Sequence, residues 1–168
     1  RHVTVAQALV KHALVFVNDS RAADAERALE EALSIFTALD HFEAASCERM
    51  LGHSLLSQGR TAEAAARFTA AYEKFRARLG DDHTYTVSAL GNVGTALVRL
   101  GEYERAIDVL TRAIAGLERV EGVSSDELRL PLLSLGEAER AGGRIDVALV
   151  HHRRALEIAE ARVGAEHL

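Results

Sequence analysis

Across 168 residues, 20 Lys and Arg stand against 25 Asp and Glu, giving a formal net charge of −5 with no block of like charges, which excludes generic binding to nucleic acid or to an anionic membrane. The apolar fraction of 48% comes mainly from Ala and Leu, with one Pro, no Trp and 5% aromatic residues, a composition that favours helix. A lone cysteine, Cys47, cannot form an internal disulfide, and no apolar stretch reaches the roughly 18 residues that span a bilayer, so a cytoplasmic protein is expected. Because the chain opens on Arg1, it is expected to be part of a longer polypeptide.

The glycines are periodic. Gly52, Gly94 and Gly136 are 42 apart, as are Gly59, Gly101 and Gly143, and again Gly80, Gly122 and Gly164, so nine of the twelve glycines share one period. Two alanine columns keep the same spacing: Ala64, Ala106 and Ala148, then Ala71, Ala113 and Ala155. A helix, a tight turn and a second helix account for every column. The first glycine sits inside a helix, where it costs about 1 kcal/mol against alanine unless a neighbouring helix comes close. The second glycine ends that helix as a left-handed residue. The alanines lie two turns apart on one face of the second helix, with Phe68, Leu110 and His152 between them as the larger knobs. The third glycine closes the second helix. Gly94, inside a column, is expected to tolerate a large side chain less well than Gly116, which belongs to none.

In chain order this predicts four hairpins and eight helices. The first, over about 4–38, is degenerate: Ala25, Leu29 and Ala32 reproduce the alanine face, but Ala13 and Ser20 replace the glycines, and Ala25 precedes Ala64 by only 39 residues. The second and third cover about 43–79 and 85–120. The fourth, over about 127–163, contains Pro131, which requires either a late helix start near Leu130 or a kink. The whole is expected to form a single array over 1–168, with an apolar strip of Leu149, Leu156, Ile158 and Val163 left open on the last helix.

Through Leu90, Val93, Gly94, Leu97, Ala106, Leu110 and Ala113, the segment SALGNVGTALVRLGEYERAIDVLTRA resembles the tetratricopeptide repeat (TPR). The 42-residue period, and RLGDDHTYTVSALGNVG as linker and first helix, resemble the kinesin-light-chain-like subclass. The linker signature recurs at Asp40 and His41, Asp82 and His83, and Glu166 and His167, while Ser124 and Ser125 replace it in the third linker. The resemblance implies an all-α, right-handed α-solenoid of about four TPR-type hairpins. The Ala- and Arg-rich wording further resembles bacterial regulatory proteins.

The residue types point away from chemistry. His41, His83 and His167 fall on separate linkers, too far apart for one metal ion, and Cys47 and His53 fall on different helical faces. No catalytic residue, cofactor or metal ligand is expected. By the family's register, the first helices line a concave face through Gln7, Lys11 and Asn18; Arg49, Met50 and His53; Asn92, Thr95 and Arg99; and Ser134, Glu137 and Arg140. Of these, Lys11, Arg49, His53, Asn92, Thr95, Arg99, Glu137 and Arg140 are the candidate peptide-binding residues. Four cations opposing one carboxylate would select acidic peptides. The resemblance thus implies a protein-interaction scaffold that binds a peptide or partner helix. The competing reading is a regulatory sensor or self-association segment of a larger bacterial signalling protein, associating through its terminal helices.

Overall fold

The computed structural model describes residues 2–18 and 21–166, the side chains of 15–18 and 163–166 excepted. His167 and the side chain of Val163, given roles above, fall outside that description, whereas Gly164 lies inside the last helix, which runs on to Glu166, and so does not close it as expected. Eight α-helices and no strand are present among the described residues: α1 (His2–Asn18), α2 (Ala22–Ala38), α3 (Glu43–Ser57), α4 (Thr61–Leu79), α5 (Thr84–Arg99), α6 (Tyr103–Glu121), α7 (Arg129–Ala141) and α8 (Ile145–Glu166). They pair into four hairpins and fall into two compact units, Arg1–Arg78 and Leu79–Leu168. No helix is long and apolar enough to cross a membrane among the described residues.

Each of the last three hairpins closes on a glycine hole filled by a knob. A Cβ built on Gly52 would lie 2.5 Å from Phe68 Cε1, one on Gly94 2.5 Å from Leu110 Cγ, and one on Gly136 2.7 Å from His152 Cε1. Only a residue without a side chain lets these rings and branches reach the backbone of the partner helix, which offsets the helix-propensity cost of glycine. Flanking each knob, the two alanine columns are at most 2% exposed. The turns follow the expected chemistry too: Gly59, Gly101 and Gly143 have φ of 76°, 78° and 79°. At the end of α2, where later hairpins carry Gly80 and Gly122, Asp40 takes the left-handed conformation with φ 46°.

Gly116 corrects the expectation of a tolerant site. It is buried, and a Cβ there would lie 2.6 Å from Val87 Cγ1 of α5, so α6 meets α5 closely at a second point outside the columns. Ile158, expected in the open strip of α8, is only 7% exposed and joins the core of the second unit with Leu128, Leu132 and Leu135.

Pro131 is accommodated by a late start. A 3-10 turn at Asp126–Leu128 precedes α7, which places Pro131 third in the helix, where its missing N–H would have had no intrahelical acceptor. Its ring packs towards Gly91 of α5.

The linker histidines are helix caps. His83 Nδ1 accepts from the Tyr85 N–H at 3.2 Å, and His41 Nδ1 from the Glu43 N–H at 3.3 Å. One period on, Ser125 does the same work, its Oγ accepting from the Glu127 N–H at 3.3 Å. What recurs in the column is therefore a lone pair aimed two residues ahead, not an imidazole. Beside each cap an aspartate reaches the far end of the hairpin it opens: Asp40 to Arg78, Asp82 to Arg119 and Asp126 to Arg162. These pairs are exposed, so each is worth well under about 1 kcal/mol and sets orientation more than stability.

Two expected outcomes follow from this packing. Gly94→Leu should destabilise the protein by about 1–3 kcal/mol in denaturant titration, because Leu110 has nowhere to move, whereas Ala115→Leu on the exposed side of α6 should change little; equal effects would remove the hole from the account. His83→Ala should cost about 1 kcal/mol and His83→Ser close to nothing, the serine reproducing the Ser125 cap; a comparable loss in both would show that the ring, not its lone pair, matters.

Candidate functional site

The first helices carry the register positions named above, and the structure gathers half of the candidates. In the second unit, Thr95 and Arg99 of α5 and Glu137 and Arg140 of α7 line one hollow of about 390 Å³. Val98, Leu130, Leu133 and Ser134 complete its walls, and His152 reaches it from α8. Its position there is a product of the fold: the ring that fills the Gly136 hole also lines the hollow.

The hydrogen-bonding polarity of the hollow is set by its two buried hydroxyls. Thr95 Oγ1 donates to the Gly91 carbonyl at 3.1 Å and lies 3.0 Å from Ser134 Oγ. A hydroxyl has one proton, so with Thr95 committed to Gly91 the Ser134 hydroxyl donates to Thr95. Both donors are consumed, and the hydroxyls offer a ligand only lone pairs. Donors come from the His152 imidazole, which carries at least one N–H, and from Arg99 and Arg140, both exposed, each with a planar fork suited to a carboxylate. Glu137, also exposed, adds one anionic acceptor. Leu130 and Leu133, 47% and 37% exposed, give the hollow an apolar rim.

In the first unit the candidates are spread over two helices. Lys11 is exposed on α1, beside Val5, Ala8, Leu9 and His12. Arg49 and His53 lie one turn apart on α3, and the His53 ring meets Phe68 edge-on with centroids 4.9 Å apart. Desolvation by burial, and then the positive charge of Arg49, hold the His53 imidazole below its ordinary pKa. His53 is thereby held towards its neutral form and adds ring surface more than charge. Asn92 is half-buried on α5, one turn before Thr95, and does not line the hollow. Among the neighbouring register positions, Gln7 reaches Glu43 through its amide at 3.4 Å, and Met50 packs against the core. The side chain of Asn18 lies outside the described residues.

The cations divide into two sets. Arg60, Arg67, Arg78, Arg119, Arg144 and Arg154 are each tied to a carboxylate. Lys11, Arg49, Arg99 and Arg140 have no ion pair among the described residues, a condition shared by Arg153 on α8. Unpaired cations on the register positions leave their charge available to a ligand. Cys47 offers no nucleophile: it is 1% exposed, and burial pushes its thiol up to about 12.

Apolar lining was the part that sequence reasoning missed. Val98, Leu130 and Leu133 follow helical spacing as core residues do, and only the exposure of Leu130 and Leu133 reveals the difference. For His152 a signal existed, a polar side chain in a column otherwise filled by Phe68 and Leu110.

Models of the tetratricopeptide repeat match residues 4–77, 51–119 and 132–168. No curated protein matches the sequence. Among solved structures, BtubC (BKLC) from P. vanneervenii is similar over 98% of this chain and 66% of its own, with TM-score 0.84 and 21% identity. The kinesin light chain TPR-like repeats of Podosopora anserina are similar over 94% of this chain and 76% of theirs, with TM-score 0.73 and 14% identity. A Rap protein complexed with Competence and Sporulation Factor is similar over 95% of this chain and 44% of its own, with TM-score 0.78 and 22% identity. The chain thus spans about two thirds of the length of the first and less than half of the Rap protein, and at these identities the likeness carries the fold.

Proposed function

Because the chain belongs to the tetratricopeptide-repeat family, a family of protein-interaction scaffolds, we propose that it binds an acidic peptide or partner helix along its first helices. The observation that carries this reading is the hollow between α5 and α7, where Arg99 and Arg140 stand without ion pairs over hydroxyls that can only accept. An acidic side chain of the ligand meets the guanidinium groups, an amide N–H of its backbone meets the Ser134 oxygen, and an apolar neighbour rests on Leu130 and Leu133. Lys11, Arg49 and His53 form the corresponding surface of the first unit. The factor held by the Rap protein of the same fold supports the reading by analogy.

A second reading is favoured by the terminal helices. Leu14 on α1 is 52% exposed, and Leu149 and Leu156 on α8 are 55% and 57% exposed, which suits a segment that self-associates within a larger bacterial signalling protein.

Titration of a fluorescent Glu-rich peptide and its Lys-rich counterpart separates the outcomes. The acidic peptide should bind with micromolar affinity, near −8 kcal/mol. Arg99→Glu should weaken it roughly tenfold, more at low salt than at high salt, while leaving the basic peptide unhurt. Asn92→Ala should weaken any peptide gripped by its backbone by about 1 kcal/mol. Equal affinities for both peptides, unmoved by Arg99→Glu, would place the binding surface elsewhere.

A further inference from the structure

The knobs that fill the glycine holes are apolar twice and polar once. Phe68 and Leu110 close on Gly52 and Gly94 at 1% and 0% exposure. In the fourth hairpin a half-buried His152 takes their place and turns the polar edge of its ring to the hole: a Cβ on Gly136 would lie 2.8 Å from Nε2 and 3.0 Å from Nδ1. Packing does not ask for those nitrogens, since a phenyl ring and a branched alkyl group close the same hole in the other hairpins. Neither nitrogen has a hydrogen-bond partner among the described residues. A polar ring in a core column, left without protein partners, costs stability that an apolar knob would not.

The same ring lines the hollow between α5 and α7. The charged groups sharing that hollow are Arg99 from α5 and Glu137 and Arg140 from α7, and His151 is its titratable neighbour on α8. The remaining charges packed against α8 are engaged elsewhere, Glu139 by Arg144, Glu118 of α6 by Arg154, and Asp126 by Arg162. An imidazole always carries one N–H and gains a second together with its positive charge, an exchange that falls between about pH 5 and 8. A carboxylate seated by Arg99 and Arg140 brings the ring both an acceptor and a negative charge, and both favour the imidazolium. Binding and proton uptake then strengthen each other.

We propose that His152 is the specificity-determining residue of the hollow, its N–H meeting the ligand carboxylate beside the two guanidinium groups and its ring taking up a proton from solvent as the acidic ligand binds. This rests on the acidic-peptide reading and adds a regulation to it. The sign follows from the proton count: the complex holds more protons than its separated partners, so affinity rises as pH falls from 8 to 6. Glutamates of the ligand stay ionised throughout that window, their ordinary pKa being about 4.3.

Titration of the fluorescent Glu-rich peptide at pH 8 and at pH 6 against wild type, His152→Leu and His151→Gln tests the assignment. His152→Leu copies the Leu110 knob and should keep the helical circular dichroism of the wild type; His152→Phe, which copies Phe68, replaces it otherwise. Wild type and His151→Gln should bind roughly fivefold more tightly at pH 6 than at pH 8. His152→Leu should lose that gain while still responding to Arg99→Glu, and His53, present in all three proteins, cancels from the comparison. The Lys-rich peptide should gain nothing from the lower pH. A gain as large in His152→Leu as in wild type, or its loss in His151→Gln, overturns the role of His152 and leaves acidic-peptide binding in place. A Glu-rich peptide that binds the wild type at neither pH overturns that reading and the proposal with it.

Discussion

Close approach of two helices at a residue without a side chain is the constraint on which the rest depends. Gly52, Gly94 and Gly136 each take a knob from the second helix of the same hairpin, and the alanines on either side of that knob let the helix axes stay near. Once each hairpin is closed in this way, the remaining faces of its helices have assigned roles. Within each unit, one side of the second hairpin's first helix docks on the preceding second helix, and in the second unit the first helices also carry the register positions Thr95, Arg99, Glu137 and Arg140. The hollow between α5 and α7 is thus a by-product of packing. Its hydroxyls are spent on holding α5 and α7 together, and its long cations have no ion pair among the described residues.

The division of the arginines sharpens the point. Arg60, Arg67 and Arg144, which begin or run along second helices, are neutralised by carboxylates of the same unit, although Arg153 on α8 is not. On the first helices Arg49, Arg99 and Arg140 are left without that compensation. In a chain with a net charge of −5 and an excess of carboxylates, local positive charge on the first helices is a property of placement, not of composition.

Much of the fold was legible because glycine and alanine columns report backbone requirements directly. Helix boundaries fell within about two or three residues of the expected ones, the fraying inherent in helix ends. Pro131 marked its own exception, the late start of α7. Gly116 escaped because a single close approach, to Val87, leaves no periodic trace. Ile158 was misplaced for a related reason: spacing alone could not tell which side of α8 turns inward. At the candidate site, polar positions were readable through the family's register, whereas Leu130 and Leu133 were not, since an apolar residue on a helix reads as core until its exposure is known. Asn92 lies on the same helix as Thr95 and Arg99, one turn before the hollow.

The caps have a consequence of another kind. The linkers need only a lone pair two residues ahead and a left-handed residue behind, supplied by His41 with Asp40, by His83 with Gly80, and by Ser125 with Gly122. Each linker is therefore fastened locally, while the two hairpins of the second unit share one core. Under a pulling force applied at its two ends, such a molecule would lengthen in discrete steps, the 90 residues of the second unit releasing roughly 300 Å of extended chain as one piece.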